Sequence, residues 1–87
     1  MKLDVTIHLW REGSQYVAHA LPLDVMSSGS TPQAAREAVD EAVRCFLKTA
    51  ADAGTLEQIL EECGYSQRDG EWVAPDWVGV EHHAVAL

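Results

Sequence analysis

Apolar and polar residues alternate along the start of the chain, and this alternation constrains the fold more than any other feature. The apolar members occupy odd positions, namely Leu3, Val5, Ile7 and Leu9. A period of two residues is typical of a β-strand with one face packed on a core and the other face open. Such a strand needs a pairing neighbour and a layer over its apolar face. Residues 2–10 are therefore predicted to form the first strand of a sheet that is covered on one side.

Two more strands are predicted directly after this one. Residues 11–14 have the composition of a turn, and residues 15–21 resume an extended pattern rich in β-forming side chains. These two strands are expected to pair as a hairpin. A third short strand is predicted at about residues 24–28, after Pro22. The first third of the chain thus indicates an antiparallel sheet of three strands.

A long amphipathic helix is predicted after the third strand. Thr31 can cap the free backbone N–H groups at its start, and Pro32 suits the first helical position. Apolar residues then recur at spacings of three and four, namely Ala35, Ala38, Val39, Ala42, Cys45, Phe46 and Ala50. Because many of them are alanines, we expect the helix to pack close to the sheet. Gly54 is predicted to end it.

The rest of the chain is predicted to hold a short helix and further extended structure. The second helix begins at Thr55, which has the spacing of a capping box with Gln58, and ends at Gly64. Its apolar stripe consists of Leu56, Ile59, Leu60 and Cys63. Residues 71–74 are predicted to be a strand or an extended arm, and residues 77–85 a final strand.

The predicted fold class is α+β in one small domain. Apolar residues make up 47% of the 87 residues and charged residues 23%, a balance typical of a globular protein. The predicted order is β-β-β-α-(α)-β, with an antiparallel sheet and the helices on one face. The domain spans residues 1–87, and no separate DNA-binding domain is expected.

The charge of the chain argues against several classes of function. Fourteen acidic residues against six Lys and Arg give a net charge of −8, which repels phosphate backbones, so no direct nucleic-acid ligand is expected. No apolar run approaches the about 20 residues of a membrane span, and the start lacks a secretory pattern. We therefore expect a cytoplasmic protein without membrane attachment. An acidic patch is predicted at Asp52, Glu57, Glu61 and Glu62, either as a docking surface for a basic protein or as a solvated face.

The sequence shows no pattern typical of a catalytic, cofactor or metal site, and an enzyme is not expected. The four histidines, His8, His19, His82 and His83, have no familiar spacing with a second type of ligand. Cys45 and Cys63 fall on the helical stripes, so both are predicted to be reduced core residues. One enzymatic alternative is a small hydrolase. It requires His8 or His19 to be held by a carboxylate inside a pocket.

The open face of the predicted sheet is the candidate interaction surface. A sheet with helices on one face leaves its other face and an edge strand open, and proteins cover such surfaces by pairing or association. The first strand directs Thr6, His8 and Trp10 to this face, and His19 joins them if the hairpin register allows. Tryptophan is enriched at the energetic centres of interfaces. These four residues are therefore predicted to contact a partner.

The order of these segments resembles that of the HicB family of antitoxins. The resemblance is carried by residues 16–22 (YVAHALP), by residues 29–35 (GSTPQAA) and by the amphipathic helix through Leu47. It covers about residues 3–50 and implies a β-β-β-α-β core, a partial ribonuclease H-like fold. The chain departs from the family at residues 21–25 (LPLDV), where members commonly carry a Pro-x-Leu-Pro-Gly-Cys-like stretch.

The resemblance implies a function carried out by protein contact. It implies an antitoxin, or a stand-alone relative, that binds a small basic HicA-like toxin and neutralises its messenger-RNA-cleaving activity by covering the active site. A homo-oligomer, either a dimer or a tetramer, is also expected. The alternative is a self-associating orphan domain without a toxin, whose open sheet is buried only by its own copies.

Overall fold

The computed structural model describes residues 1–87 and shows a sheet of three strands, two helices and a small separate hairpin. The elements are β1 (Thr6–Glu12), β2 (Gln15–Leu21), β3 (Val25–Gly29), α1 (Pro32–Asp52), α2 (Leu56–Glu62), β4 (Ser66–Arg68) and β5 (Glu71–Val73). The main sheet is antiparallel with the order β1-β2-β3, and β4 pairs with β5. The predicted α+β class and order of elements are confirmed.

A two-residue turn joins β1 to β2 and decides where these strands begin and end. Gly13 has a φ of 60°, and a glycine with positive φ at the first turn position is typical of the type II′ turn. Because the turn needs only Gly13 and Ser14, β1 continues through Arg11 and Glu12, which the sequence pattern had placed in the turn. The strand also begins later than the predicted residues 2–10.

Local signals at both ends set the bounds of α1. Thr31 has an extended backbone, and its Oγ1 accepts a hydrogen bond from the Ala34 N–H at 3.0 Å. Pro32 follows as the first helical residue. After Asp52 the chain leaves the helical conformation at Gly54, whose φ is 75°. The predicted cap and the predicted end of this helix are therefore both confirmed.

The core between α1 and the sheet is thin and rich in alanine. Nine residues of the chain are buried. The main cluster comprises Ala18, Ala20, Leu23, Ala35, Val39, Val43, Leu60 and Tyr65. The fully buried Ala18 and Ala20 of β2 face Ala35 and its neighbours on α1, and such small side chains let the helix come close to the sheet. The close packing expected from the alanines is thus present.

Both cysteines are free thiols, but only one of them lies beside the core. Cys45 is exposed, so the prediction that it is a core residue is wrong. Val43 takes the buried position because the helix face that meets the sheet runs through Val39 and Val43. Cys63 is half-buried, and burial, with smaller contributions from Glu62 and Asp24, raises the pKa of its thiol.

A single buried residue, Leu60, anchors α2 to the core. The other residues of the predicted stripe, Leu56, Ile59 and Cys63, are half-buried. The capping-box prediction is wrong, because the Thr55 side chain makes no cap. Its hydroxyl donates instead to the Ala50 carbonyl oxygen at 3.4 Å, and its N–H donates to the same oxygen at 2.9 Å. Thr55 thus stands at the start of α2, but its side chain is turned back to the end of α1.

The chain beyond α2 forms a hairpin and then an irregular segment. β5 confirms the extended structure predicted at residues 71–74, whereas its partner β4 is a short, exposed polar strand that gave no sequence signal. The predicted final strand at residues 77–85 is wrong. Residues 74–87, named the C-terminal arm from here on, contain neither strand nor helix. A strand needs a partner to accept its hydrogen bonds, and no strand lies beside the arm.

Tyr65 ties the end of α2 to the segment that precedes β1. Its side chain is buried, and its hydroxyl donates a hydrogen bond to the Asp4 carbonyl oxygen at 2.6 Å. Burial, with smaller contributions from Cys63 and Asp4, raises the pKa of the Tyr65 phenol to about 12. The folded chain therefore keeps this hydroxyl protonated under conditions that ionise an exposed tyrosine.

We expect Tyr65→Phe to lower the free energy of unfolding by about 1 kcal/mol near neutral pH, because the Asp4 carbonyl loses its donor. The native chain should also lose stability between pH of about 10, where the phenol of an unfolded chain ionises, and about 12. In that range only the unfolded state releases the proton, so the difference between the two proteins should shrink. Urea unfolding at neutral and alkaline pH measures this difference, and a constant value would contradict the assignment.

Candidate functional site

The main sheet presents one face away from α1, and this outer face is the candidate site. From the strand register it consists of Thr6, His8, Trp10, Val17, His19, Leu21, Met26 and Ser28. Successive residues of a strand point to opposite faces, and the alternate set contains the buried Ala18 and Ala20. The residues predicted to contact a partner, Thr6, His8, Trp10 and His19, therefore all share the outer face.

A cluster of rings lies at the centre of the outer face. His8 and His19 are directly opposite in the β1–β2 ladder, which brings their Cβ atoms to about 5 Å. The indole of Trp10 meets the ring of His19 edge-on, with 6.2 Å between the ring centroids. The short turn of the hairpin fixes the register and so brings these three rings together.

Carboxylates hold the polar atoms of two of these rings. Asp24 Oδ1 lies 2.6 Å from His19 Nε2, and Trp10 Nε1 donates to Glu12 Oε1 at 2.9 Å. Asp24 precedes β3 with a φ of 63°, a left-handed conformation that aspartate adopts more readily than most residues. These hydrogen bonds use the ring nitrogens, so the apolar surfaces of the rings stay available for contact.

The C-terminal arm covers part of the outer face. The ring of Trp77 lies over His8, with 5.3 Å between the centroids and an angle of 52° between the ring planes. Trp77 itself is 48% exposed, and Met26, on the β3 side of the face, is 52% exposed. The chain therefore shields one side of the outer face and leaves the other side open to solvent.

Acidic groups border the outer face and make it negatively charged. Glu12 at the end of β1 and Asp24 before β3 are both exposed, in a chain with a net charge of −8. The predicted acidic patch, Asp52, Glu57, Glu61 and Glu62, is also exposed, but it lies on the helices. The helices lie on the opposite side of the sheet from the outer face. The carboxylates beside the rings are therefore those of Glu12 and Asp24. They favour a cationic partner at this face.

The His19–Asp24 pair meets one requirement of the hydrolase alternative but not the other. A carboxylate holds the imidazole, as in many general bases. The pair lies on the open sheet, away from the cleft of about 570 Å³ that is lined by Met1, Lys2, Asp4, Gly70, Glu71 and Trp72. A general base acts on a substrate held beside it, and an open face of this kind holds no small molecule in place.

The histidines do not assemble with further metal ligands. No group of three or more His, Cys, Asp or Glu side chains could hold an ion. His82 and His83 lie on the C-terminal arm, where His83 Nε2 is 3.1 Å from Glu81 Oε1. Neither of them joins the His8–His19 pair in a group that could hold an ion.

Sequence reasoning missed two residues of the outer-face cluster. Asp24 reaches His19 through the conformation of the turn before β3, and no local pattern signals that contact. Trp77 reaches His8 from the C-terminal arm. The presence of three tryptophans in 87 residues was the only hint of an aromatic surface that involves the end of the chain.

No family model matches the chain, and no curated protein or solved structure matches it either. Neither helix has the length and apolar character needed to cross a membrane. The functional argument therefore depends on the chemistry of the outer face.

Proposed function

We propose that the chain is a HicB-like antitoxin, or a stand-alone relative, that binds a small basic HicA-like toxin in the cytoplasm. The toxin docks on the outer face, where His8, Trp10 and His19 form the centre of the contact together with Trp77, which lies over His8, and Thr6 lies beside them. Docking covers the site at which the toxin cleaves messenger RNA. In this proposal the chain performs no catalysis and needs no cofactor.

The observation that carries the proposal is the ring cluster on a sheet face that no helix covers. Trp10 offers a large rigid surface, the kind of side chain that contributes most to protein interfaces. The half-exposed Met26 adds a flexible apolar contact at the margin. Small ligands bind in concave pockets, whereas an open face of this kind suits the surface of another protein.

The order of the elements supports an antitoxin of this family over an adhesive domain of another kind. A hairpin that contains residues 16–22 leads into β3, and a capped helix then starts within residues 29–35. The same succession underlies the resemblance to HicB antitoxins.

The charge distribution supports a basic partner. Glu12 and Asp24 lie beside the rings, and the net charge of −8 extends the attraction beyond direct contact. Attraction of this kind raises the rate of association, and salt screens it over about 10 Å at moderate ionic strength. Binding is therefore expected to weaken as salt is added.

A second candidate function is a domain that only associates with itself. The exposed apolar residues of the C-terminal arm favour it. It differs from the first proposal in one respect that can be measured, because it binds no basic partner.

The proposal is tested with the tagged full-length chain as bait in a native lysate at low and moderate salt. We expect capture of one small basic protein, which should cleave messenger RNA when produced alone and stop cleaving it when the chain is added. Trp10→Ala should weaken the affinity on the order of tenfold, since loss of a central interface residue costs more than about 1 kcal/mol. Titration calorimetry with the purified pair measures this loss.

Arg36→Ala serves as the matched control, because Arg36 is exposed on α1, across the sheet from the outer face. It should leave the affinity unchanged, and both variants should keep the circular dichroism spectrum of the native chain. Equal losses in the two variants would place the contact elsewhere. Recovery of the bait alone, as a defined oligomer, would favour the self-associating domain.

A further inference from the structure

The C-terminal arm carries a run of apolar side chains that the domain does not bury. Val78, Val80, Val85 and Leu87 are almost entirely exposed, at 79% or more. Single exposed apolar residues are ordinary, but four of them within ten residues indicate a segment that contacts another surface. None of the backbone hydrogen bonds outside the helices and strands involves the arm. Its N–H and C=O groups are therefore free as well.

The edge of β1 also has backbone N–H and C=O groups without hydrogen-bond partners. β1 pairs with β2 alone, so alternate backbone groups along Thr6–Glu12 point outward without a strand partner. It is also the longer edge, with seven residues against five in β3. An extended segment that adds to such an edge satisfies both sets of backbone groups. The β-branched valines of the arm suit a strand in that position.

Residues 78–87 of the arm are all exposed and extend away from their own domain. The radius of gyration is 14.8 Å and the longest dimension 40 Å, whereas a compact domain of this length has a radius of gyration of about 12 Å. Trp77 lies over His8, in the middle part of β1. From His8, only about half of β1 remains in either direction. This length is too short for residues 78–87 to pair with β1 of their own copy.

We propose that residues 78–87 of one copy pair as an added strand with the β1 edge of a second copy, and that the exchange is reciprocal. Two identical contacts of this kind close a symmetric dimer without leaving a free edge on β1. The contact uses the edge of the sheet and not the outer face. It is therefore independent of the proposed function and holds whether or not a toxin is bound.

The test uses the full-length chain with Val80→Pro combined with Val85→Pro. Proline keeps the arm apolar but has no N–H. In an added strand the N–H groups of either the even or the odd positions point to the partner strand, so changing one position of each kind interrupts the pairing in both cases. Val80→Ala combined with Val85→Ala is the matched control, which keeps both N–H groups. By analytical ultracentrifugation we expect the native chain and the alanine pair to be dimers. In the proline pair we expect the dimer to bind on the order of 100-fold more weakly.

Hydrogen–deuterium exchange locates the contact in the same three proteins. In the native dimer, the amides of residues 6–12 and 78–87 should exchange slowly, and in the proline pair they should exchange fast while α1 is unchanged. A monomeric native chain would overturn the proposal, even if the arm were protected, since the arm would then pair within its own copy. A proline pair as dimeric as the native chain, or protection at residues 25–29 in place of 6–12, would also overturn it.

Discussion

Leu60→Ala should lower the free energy of unfolding by about 2–5 kcal/mol, because it leaves a cavity where α2 meets the core. Leu60 is fully buried and is the one buried residue of α2. A helix of seven residues is too short to be stable alone, so this side chain supplies most of its attachment. A domain of this size has a total stability of about 4–13 kcal/mol, and the loss is a large part of it.

Glu61→Ala is the matched control for this measurement. It also shortens a side chain of α2, but Glu61 is exposed, so the free energy of unfolding should change by less than about 0.5 kcal/mol. Urea unfolding followed by circular dichroism compares the two variants. Equal stabilities in the two would mean that α2 does not depend on Leu60.

Gly29→Ala should lower the free energy of unfolding by about 1–3 kcal/mol, because a Cβ atom has no room there. It would lie 2.7 Å from the Ala35 backbone nitrogen and 2.8 Å from the Ala34 carbonyl carbon. Both neighbours belong to the first turn of α1, where Ala34 and Ala35 donate to the Thr31 side chain and carbonyl at 3.0 Å. The helix start cannot withdraw without weakening these bonds.

Gly79→Ala provides the control for the added methyl group. No atom of the chain lies within 4 Å of a Cβ built at Gly79, and its backbone is outside the left-handed region, so at a concentration where the chain is monomeric its stability should stay within about 0.5 kcal/mol. Thermal and urea unfolding measure both variants. A Gly29→Ala protein as stable as the native chain would contradict the close approach of β3 to α1.

The two ends of α1 could be predicted from the sequence. Thr31 and Pro32 start α1, and Gly54 ends it, because each acts on the free groups of the adjacent turn. The prediction of the buried face of α1 was less accurate, because Cys45 is exposed and Val43 is buried. Periodicity defines a stripe, but the layer that packs on it decides which residues lie deepest.

The error at the C-terminal arm has a different cause. The valines of residues 77–85 favour a strand, and the prediction failed because strand formation requires a partner. Whether a partner lies alongside depends on the path of the whole chain, which no local pattern contains. The same limit hid β4, whose three polar residues become a strand only because β5 returns beside them.

The face shared by Thr6, His8 and Trp10 could be predicted, but the contacts that Asp24 and Trp77 make with rings on it could not. Alternation along the first strand directs Thr6, His8 and Trp10 to one face, and this much follows from a period of two. Placing His19 opposite His8 required the register, which the length of the turn sets.

That the outer face binds a basic protein is tested most directly by His8→Asp combined with Trp10→Asp in the full-length chain. The two changes remove rings from the centre of the face and add charges there, while the core side chains stay intact. The quantity to measure is the amount of chain that stops RNA cleavage by the captured basic protein. We expect the folded variant to need on the order of 100-fold more chain than the native protein. Equal inhibition by the two would contradict the proposed role of the outer face.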